Sequence, residues 1–197
     1  IKLKSGNVVD AKNAKNSTSA SSQLNRILAQ VRKELFESSD FRLFLETVAS
    51  LPVLPLRAED RDSAAEEDPR VQVRRFRPGL DYTIATMQNT CAKSEKELDV
   101  CYMLVDDSNP DPWDSEEVGG FECYVEVDKG ETEEKAEVYR EGGDEEGGPL
   151  LNIPAWSNAL SLVLRDAETL SFVKFVSKNA PSSRIDVKGK FQIAGEK

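Results

Sequence analysis

From residue 71 onward the apolar residues of this chain recur at every second position, in eight or nine short runs broken by Gly, Pro, Asn and Asp. That period belongs to β-strands with one face turned to a core, and many short strands with turn signals point to a sandwich, barrel or jelly roll. The predicted strands are the run around Val71, Val73 and Phe76, then 82–87, 98–105, 121–127, 135–140, 150–155, 159–165, 171–176 and 184–193. The run 98–105 is almost wholly apolar, so both its faces are expected to be covered. In 121–127, Phe121, Cys123, Val125 and Val127 share one face, while Glu122, Tyr124 and Glu126 share the other.

Before residue 71 the period differs. Leu24, Ile27, Leu28, Val31 and Leu35 fall at three- and four-residue steps, one face of an amphipathic helix, with Ser21 or Ser22 as its cap. "SSD" at 38–40 offers a second cap, and Phe41, Phe44, Leu45 and Val48 form the apolar face of a second helix. "LPVLP" at 51–55 ends it, because proline disfavours helix in the residue before it. Residues 1–20 read as a flexible polar linker and 57–70 as a flexible acidic loop, which leaves one domain over 21–193. The apolar faces of the two helices are expected to cover one face of a jelly roll.

Composition narrows function mainly by exclusion. The chain contains no histidine, so histidine-based triads and general bases are ruled out, as is an iron site of two histidines and a carboxylate. It carries no phosphate-cradling glycine motif. The acidic balance, a net charge of −10, disfavours nucleic acid and anionic membranes; it reads first as simple solubility and otherwise as a preference for basic partners. No apolar run approaches the roughly 18 residues of a membrane helix. Cys91, Cys101 and Cys123 form neither a disulfide framework nor a zinc pattern, and Cys101 and Cys123 read as core thiols in a reducing compartment. The chain begins at Ile1, so a piece of a longer protein is expected.

The ordered motifs "VRRFRPGLDYTIA", "PDPWDSEEVGGFECYVE", "SNALSLVLR", "LSFVKFVS" and "SRIDVKGKF" resemble the C-terminal, non-catalytic domain of fungal-type prolyl 3,4-dihydroxylases, members of the 2-oxoglutarate- and iron-dependent oxygenases. The resemblance runs over about residues 22–193 and implies a mainly β fold: a double-stranded β-helix, jelly-roll or cupin-like, with two N-terminal α-helices. In that family two barrels share one chain and only the first binds iron. Laid onto the family pattern, the iron-ligand positions hold Thr86, Gln88 and Val173, a set without imidazole, and Arg184 stands where the cosubstrate arginine would be. The resemblance therefore implies no catalytic residue, metal or cofactor in this domain, with iron and 2-oxoglutarate confined to an N-terminal domain absent from this chain.

What remains is docking. The resemblance implies roles in ribosomal-protein hydroxylation by the parent protein, in oxygen sensing and in degradation of a sterol-responsive transcription factor, in cytoplasm and nucleus. The expected docking residues are Asp106, Asp107, Asp111, Trp113, Asp114, Glu116 and Glu117 in an acidic loop, and Arg74, Arg75 and Arg77 in "RRFR". Those arginines read equally as outward residues that neutralise nearby acidic loops, and Trp113 and Trp156 each read as exposed anchor or as core. Arg184 reads first as paired with a nearby carboxylate such as Asp186, or solvated. The alternative is a metal-free cupin holding a small carboxylate through Arg184.

Overall fold

Ser38 sits where two helices meet and serves both. Its hydroxyl donates to the carbonyl of Leu35 at 2.7 Å and accepts from the backbone N–H of Phe41 at 3.1 Å. One side chain thus closes the first helix and caps the second, as the "SSD" motif predicts. In the computed structural model, which describes residues 20–56, 70–84, 96–108, 113, 115, 117–126 and 149–194, the first helix is α1 (Ala20–Gln30). It runs directly into a wider, π-type turn over Val31–Phe36, and α2 follows over Ser39–Ala49. Ser50, in the left-handed region with φ 55°, ends α2 ahead of Pro52.

The helices pack on a different stripe from the one their periodicity predicts. Leu28, Arg32 and Phe36 are buried, whereas Leu24, Ile27 and Leu35 are exposed. In α2, Phe41 and Leu45 are buried while Phe44 and Val48 face outward. The π-type turn is the physical reason in α1. A wider turn rotates each residue less, so the inward row advances by fours, 28 to 32 to 36, and leaves the ideal helical stripe behind. Ser21 and Ser22 lie within α1, not before it.

Seven strands follow: β1 (Val71–Phe76), β2 (Lys96–Leu104), β3 (Glu122–Glu126), β4 (Leu151–Ile153), β5 (Ala159–Arg165), β6 (Thr169–Val173) and β7 (Arg184–Ile193). They form two antiparallel sheets, one of four strands in the order β1-β7-β2-β5 and one of three in the order β4-β3-β6. The fold is mainly β with two helices, as expected. Of the predicted strand 82–87, residues 82–84 are not strand, but the Thr83 N–H bonds the Val173 carbonyl at 3.2 Å, which lays this segment beside β6. The predicted strand 135–140, residues 1–19, 57–69 and 85–95, and Cys91 with them, lie outside the described residues.

The four-stranded sheet has two unlike faces. Toward the helices it presents Val71, Leu98, Val100, Val187, Phe191 and Ile193, which join Leu28, Phe36, Phe41 and Leu45 in one apolar core. Gly189 makes room for this: a Cβ there would lie 2.7 Å from the Phe191 ring and 3.1 Å from that of Phe36. Pro52 and Leu54 tie the segment after α2 to the end of β7 through bonds to Ala194 and Gln192. The opposite face looks toward the three-stranded sheet. A smaller apolar cluster of Phe76, Trp113, Val118, Ala155, Val173 and Val176 closes one end of the space between the sheets. The rest of that space holds charge. No helix among the described residues is long and apolar enough to cross a membrane.

Candidate functional site

The inward face of β7 reads Arg184, Asp186, Lys188 at alternate positions, and all three side chains are buried. Strand alternation forces this: the residues between them, Ile185, Val187 and Gly189, belong to the helix side. Charges placed in such a position need partners of opposite sign, and neighbouring strands supply them. β3 brings Glu122, β1 brings Arg74, β2 brings Glu97 and Asp99, and β5 brings Arg165. Four carboxylates face four cations.

Arg184 lies at the centre. It is completely buried, and its guanidinium is fully committed. Nε donates to Asp186 at 3.1 Å, Nη2 to Glu122 at 2.8 Å and Nη1 to the carbonyl of Gly120. Arg74 grips the same two carboxylates, forking onto Asp186 at 2.7 and 3.0 Å and reaching Glu122 at 3.2 Å. Both guanidinium groups stand over the Phe76 ring, at 5.3 and 5.7 Å from its centroid. Lys188 holds the other oxygen of Glu122 at 2.5 Å, Asp99 at 2.9 Å and the Ser171 hydroxyl at 3.1 Å. Arg165 completes the chain by pairing with Asp99 at 3.1 Å and with Glu97, and by donating to the Thr169 carbonyl.

The electrostatics follow from this crowding. Burial pushes the Glu122 carboxyl upward, but Lys188, Arg74 and Arg184 outweigh it and hold the group well below the usual carboxylate range. Asp99 is likewise lowered, with Lys188 and Arg165 overcoming burial. Lys188 is raised, since Glu122 and Asp99 outweigh the burial that would lower it. Burial, assisted by Asp186 and Glu122, pushes the Cys101 thiol up to about 12, and burial lifts Cys123 to about 11. Both thiols are therefore protonated and inert at neutral pH, as core cysteines are expected to be.

This arrangement answers the question that Arg184 poses. It meets Asp186, the partner expected from sequence, and also Glu122. Every nitrogen of its guanidinium already has a partner, and the side chain is fully buried, away from an incoming dicarboxylate. Cys101, Glu122 and Asp186 place ligand atoms within 4.8 Å of one another, the donor types of a cation site. However, Arg74 and Arg184 already occupy those atoms, approaching even the Cys101 sulfur at 3.9 and 3.7 Å. A cation would enter against two guanidinium groups. Val173 is fully buried in the apolar cluster with Phe76 and Trp113 and offers no ligand. Thr86 and Gln88 lie outside the described residues. The described side chains do not fit iron.

The docking residues divide. Trp113 is 1 % exposed, so the ring is core and no exposed anchor; its Nε1 donates to the carbonyl of Asp106 at 3.0 Å and pins the acidic loop from below. Gly119 and Gly120, both left-handed, let the chain turn over that ring, and a Cβ on Gly119 would meet the Phe175 carbonyl at 2.1 Å. Asp106, Asp107 and Glu117 are exposed, and Asp106 is lowered by its bonds from Ser108. Asp111, Asp114 and Glu116 lie outside the described residues. Of the three arginines, Arg74 points inward as described, correcting the outward reading. Arg77 forks onto Asp81, and Arg75 stays exposed beside Ser183. Trp156 is exposed.

Sequence reasoning missed Glu97, Asp99, Glu122, Arg165 and Lys188. The signal was present in β7: a closing strand whose non-apolar face is wholly charged requires a facing set of opposite charge. Asp99 inside the apolar run 98–105 was its counterpart.

The structure thus defines a mainly antiparallel β domain with a network of ion pairs between its two sheets. Comparison with known proteins makes this specific. Residues 6–197 match the family described as "Oxoglutarate and iron-dependent oxygenase degradation C-term", and the chain belongs to that family of oxygenase C-terminal domains. It is also similar to the prolyl 3,4-dihydroxylase OGFOD1 of Ostreococcus tauri, 34% identical over 166 residues. That match covers 84% of this chain but 29% of the relative, so the chain spans less than a third of the length of that protein.

Proposed function

We propose that this chain is a non-catalytic docking domain of a 2-oxoglutarate- and iron-dependent prolyl dihydroxylase, built on a double-stranded β-helix whose ligand space has been converted into an ionic core. The observation that carries the reading is the commitment of Arg184 to Asp186, Glu122 and the Gly120 carbonyl. The strand orders β1-β7-β2-β5 and β4-β3-β6, with residues 79–84 alongside β6, support the double-stranded β-helix. Catalysis, iron and 2-oxoglutarate belong to a separate N-terminal domain. Titration calorimetry with 2-oxoglutarate and with succinate, and elemental analysis of the purified chain, test this directly. The expected results are no saturable heat and no stoichiometric iron; a saturable heat with either acid overturns the reading.

The docking surface is the acidic loop that Trp113 pins. Asp106, Asp107 and Glu117 are held outward there, and Asp111, Asp114 and Glu116 lie between them in sequence. Its partner is a protein with a basic surface, such as the DNA-binding region of a transcription factor directed to degradation, met in the cytoplasm or nucleus. Binding of a lysine- and arginine-rich partner is expected to weaken with added salt and with the triple substitution Asp106→Asn, Asp107→Asn, Glu117→Gln. Indifference to both removes the acidic loop from the reading.

A further inference from the structure

Among the described residues the two sheets end in four outer strands, and three of these are guarded. β6 has the segment 82–84 beside it, tied by the Thr83 N–H to the Val173 carbonyl. β4 is three residues long and lies between Pro149 and Pro154. β1 presents Arg75, exposed beside Ser183. Short strands, prolines and outward charges are the usual means by which an edge avoids pairing with another chain. β5 has none of them. Its residues 159–164 contain no charge and no proline, and no described strand pairs on the side away from β2. Its one cation, Arg165, is buried on Asp99 and Glu97 and does not guard the edge.

The side chains of β5 suit an added strand. Leu160, Leu162 and Leu164 stand across from Tyr102, Val100 and Leu98 of β2. Leu162 packs against the apolar core beneath the helices, whereas Leu160 is 37% and Leu164 44% exposed. The core thus runs out to the sheet's edge as a row of leucines. A strand laid there gains backbone hydrogen bonds from the edge and cross-strand contacts from the row.

Charge indicates the occupant. β5 ends in a turn whose Asp166 and Glu168 are exposed, and Asp166 fixes that turn by accepting from the Glu168 N–H at 3.0 Å and the Thr169 hydroxyl at 2.9 Å. Lys96, at the same end, belongs to β2, one strand in from the edge. Just before β5, Trp156 and Asn158 are exposed and uncharged. Every strand pair in the two sheets is antiparallel. A strand added in that sense enters at the acidic turn and leaves at Trp156, so basic residues belong at its start. A second copy fits less well. Pairing β5 on β5 sets each acidic turn against the uncharged start of the other strand and brings together two chains of net charge −10.

We propose that the outer edge of β5 is a strand-addition site for an extended segment of a partner protein, basic at its start and apolar at alternate residues thereafter. Different residues carry it from those of the acidic loop, and it does not rest on the reading of that loop.

The test uses the 197-residue chain and a short fluorescein-labelled peptide, two lysines followed by alternating valine and threonine. Fluorescence anisotropy is expected to rise saturably, and amide hydrogen exchange over 159–164 to slow several-fold while that of β1 is unchanged. The same peptide with alternate backbone amides methylated keeps its side chains but loses its donors, and should not bind. Leu160→Lys with Leu164→Lys, both exposed, should weaken binding at least tenfold at an unchanged melting temperature. Asp166→Asn with Glu168→Gln should weaken it less. Binding should survive Asp106→Asn, Asp107→Asn, Glu117→Gln; its loss there assigns the peptide to the acidic loop and overturns the edge site. Absence of saturable binding, or equal binding of the methylated peptide, also overturns it. So does exchange over 159–164 that slows with protein concentration alone, which gives the edge to a second copy.

Discussion

β7 borders two interiors that could hardly differ more. On one face Val187, Phe191 and Ile193 enter an apolar core with the helices; on the other Arg184, Asp186 and Lys188 enter a network of charges. The apolar side gains stability from removing surface from water and tolerates any side chains of suitable volume. The charged side gains little net stability, because desolvating eight ionised groups costs nearly what their attraction returns. What it provides is specificity: each cation has designated acceptors on other strands or on its own, and only one register of β1, β2 and β3 around β7 brings them together. The lesson is that the space between two sheets can be filled without becoming greasy. Charges can be made to meet one another.

Breaking the charged side should have the largest effect. Glu122→Gln leaves Lys188, Arg74 and Arg184 short of their shared acceptor, and urea denaturation is expected to show a loss of about 3–5 kcal/mol. The same group sets the acid limit. Its folded pKa is depressed, so its contribution is complete above the unfolded carboxylate value of about 4.3 and is lost as pH falls through the lower folded value. Lys188, whose pKa is raised, acts oppositely: its contribution is complete below about 10.4 and is lost as pH rises beyond it. The acid slope should diminish in Glu122→Gln.

The apolar side gives the contrast. Leu45→Ala, at a fully buried position, should cost about 2–5 kcal/mol with the same acid slope as the parent. A changed slope there would mean that the two interiors are not independent. A double-mutant cycle on Arg184→Met and Asp186→Leu sharpens the comparison, with an expected coupling of about 0.5–3 kcal/mol; additivity would show that the pair is unlinked. The smallest effect belongs to the outer helix face, where Phe44→Glu should alter stability by no more than about 0.5 kcal/mol.

How much of this was legible depended on which signal each segment carried. β5 and β7 have the boundaries that alternation predicts, because period two is an unambiguous consequence of strand geometry. The helices were legible as helices but not in orientation. Nothing in "VRKELF" announces a π-type turn, and a buried Arg32 runs against hydrophobic patterning. The pairing of Arg184 with Asp186 was legible because the two lie on one strand face. Glu122 was not, since its run places Phe121, Cys123 and Val125 on the opposite face and hydrophobicity argues for turning the glutamate outward. Only the demand of β7 for partners overrides that preference, and such a demand is a tertiary fact.

The position of β7 has a consequence for how the domain comes into being. It is the last of the described strands in chain order, yet it lies between β1 and β2 in the middle of its sheet. Residues made much earlier, at 71–76 and 96–104, must wait for it before they are joined into one sheet. While they wait, their apolar faces are open to chaperones and to wrong neighbours. A chain cut short before residue 184 would lose more than its tail: the sheet would fall into separate pieces. The four-stranded sheet is therefore complete only once residues 184–193 have been made, although β2 and β5 can pair before then.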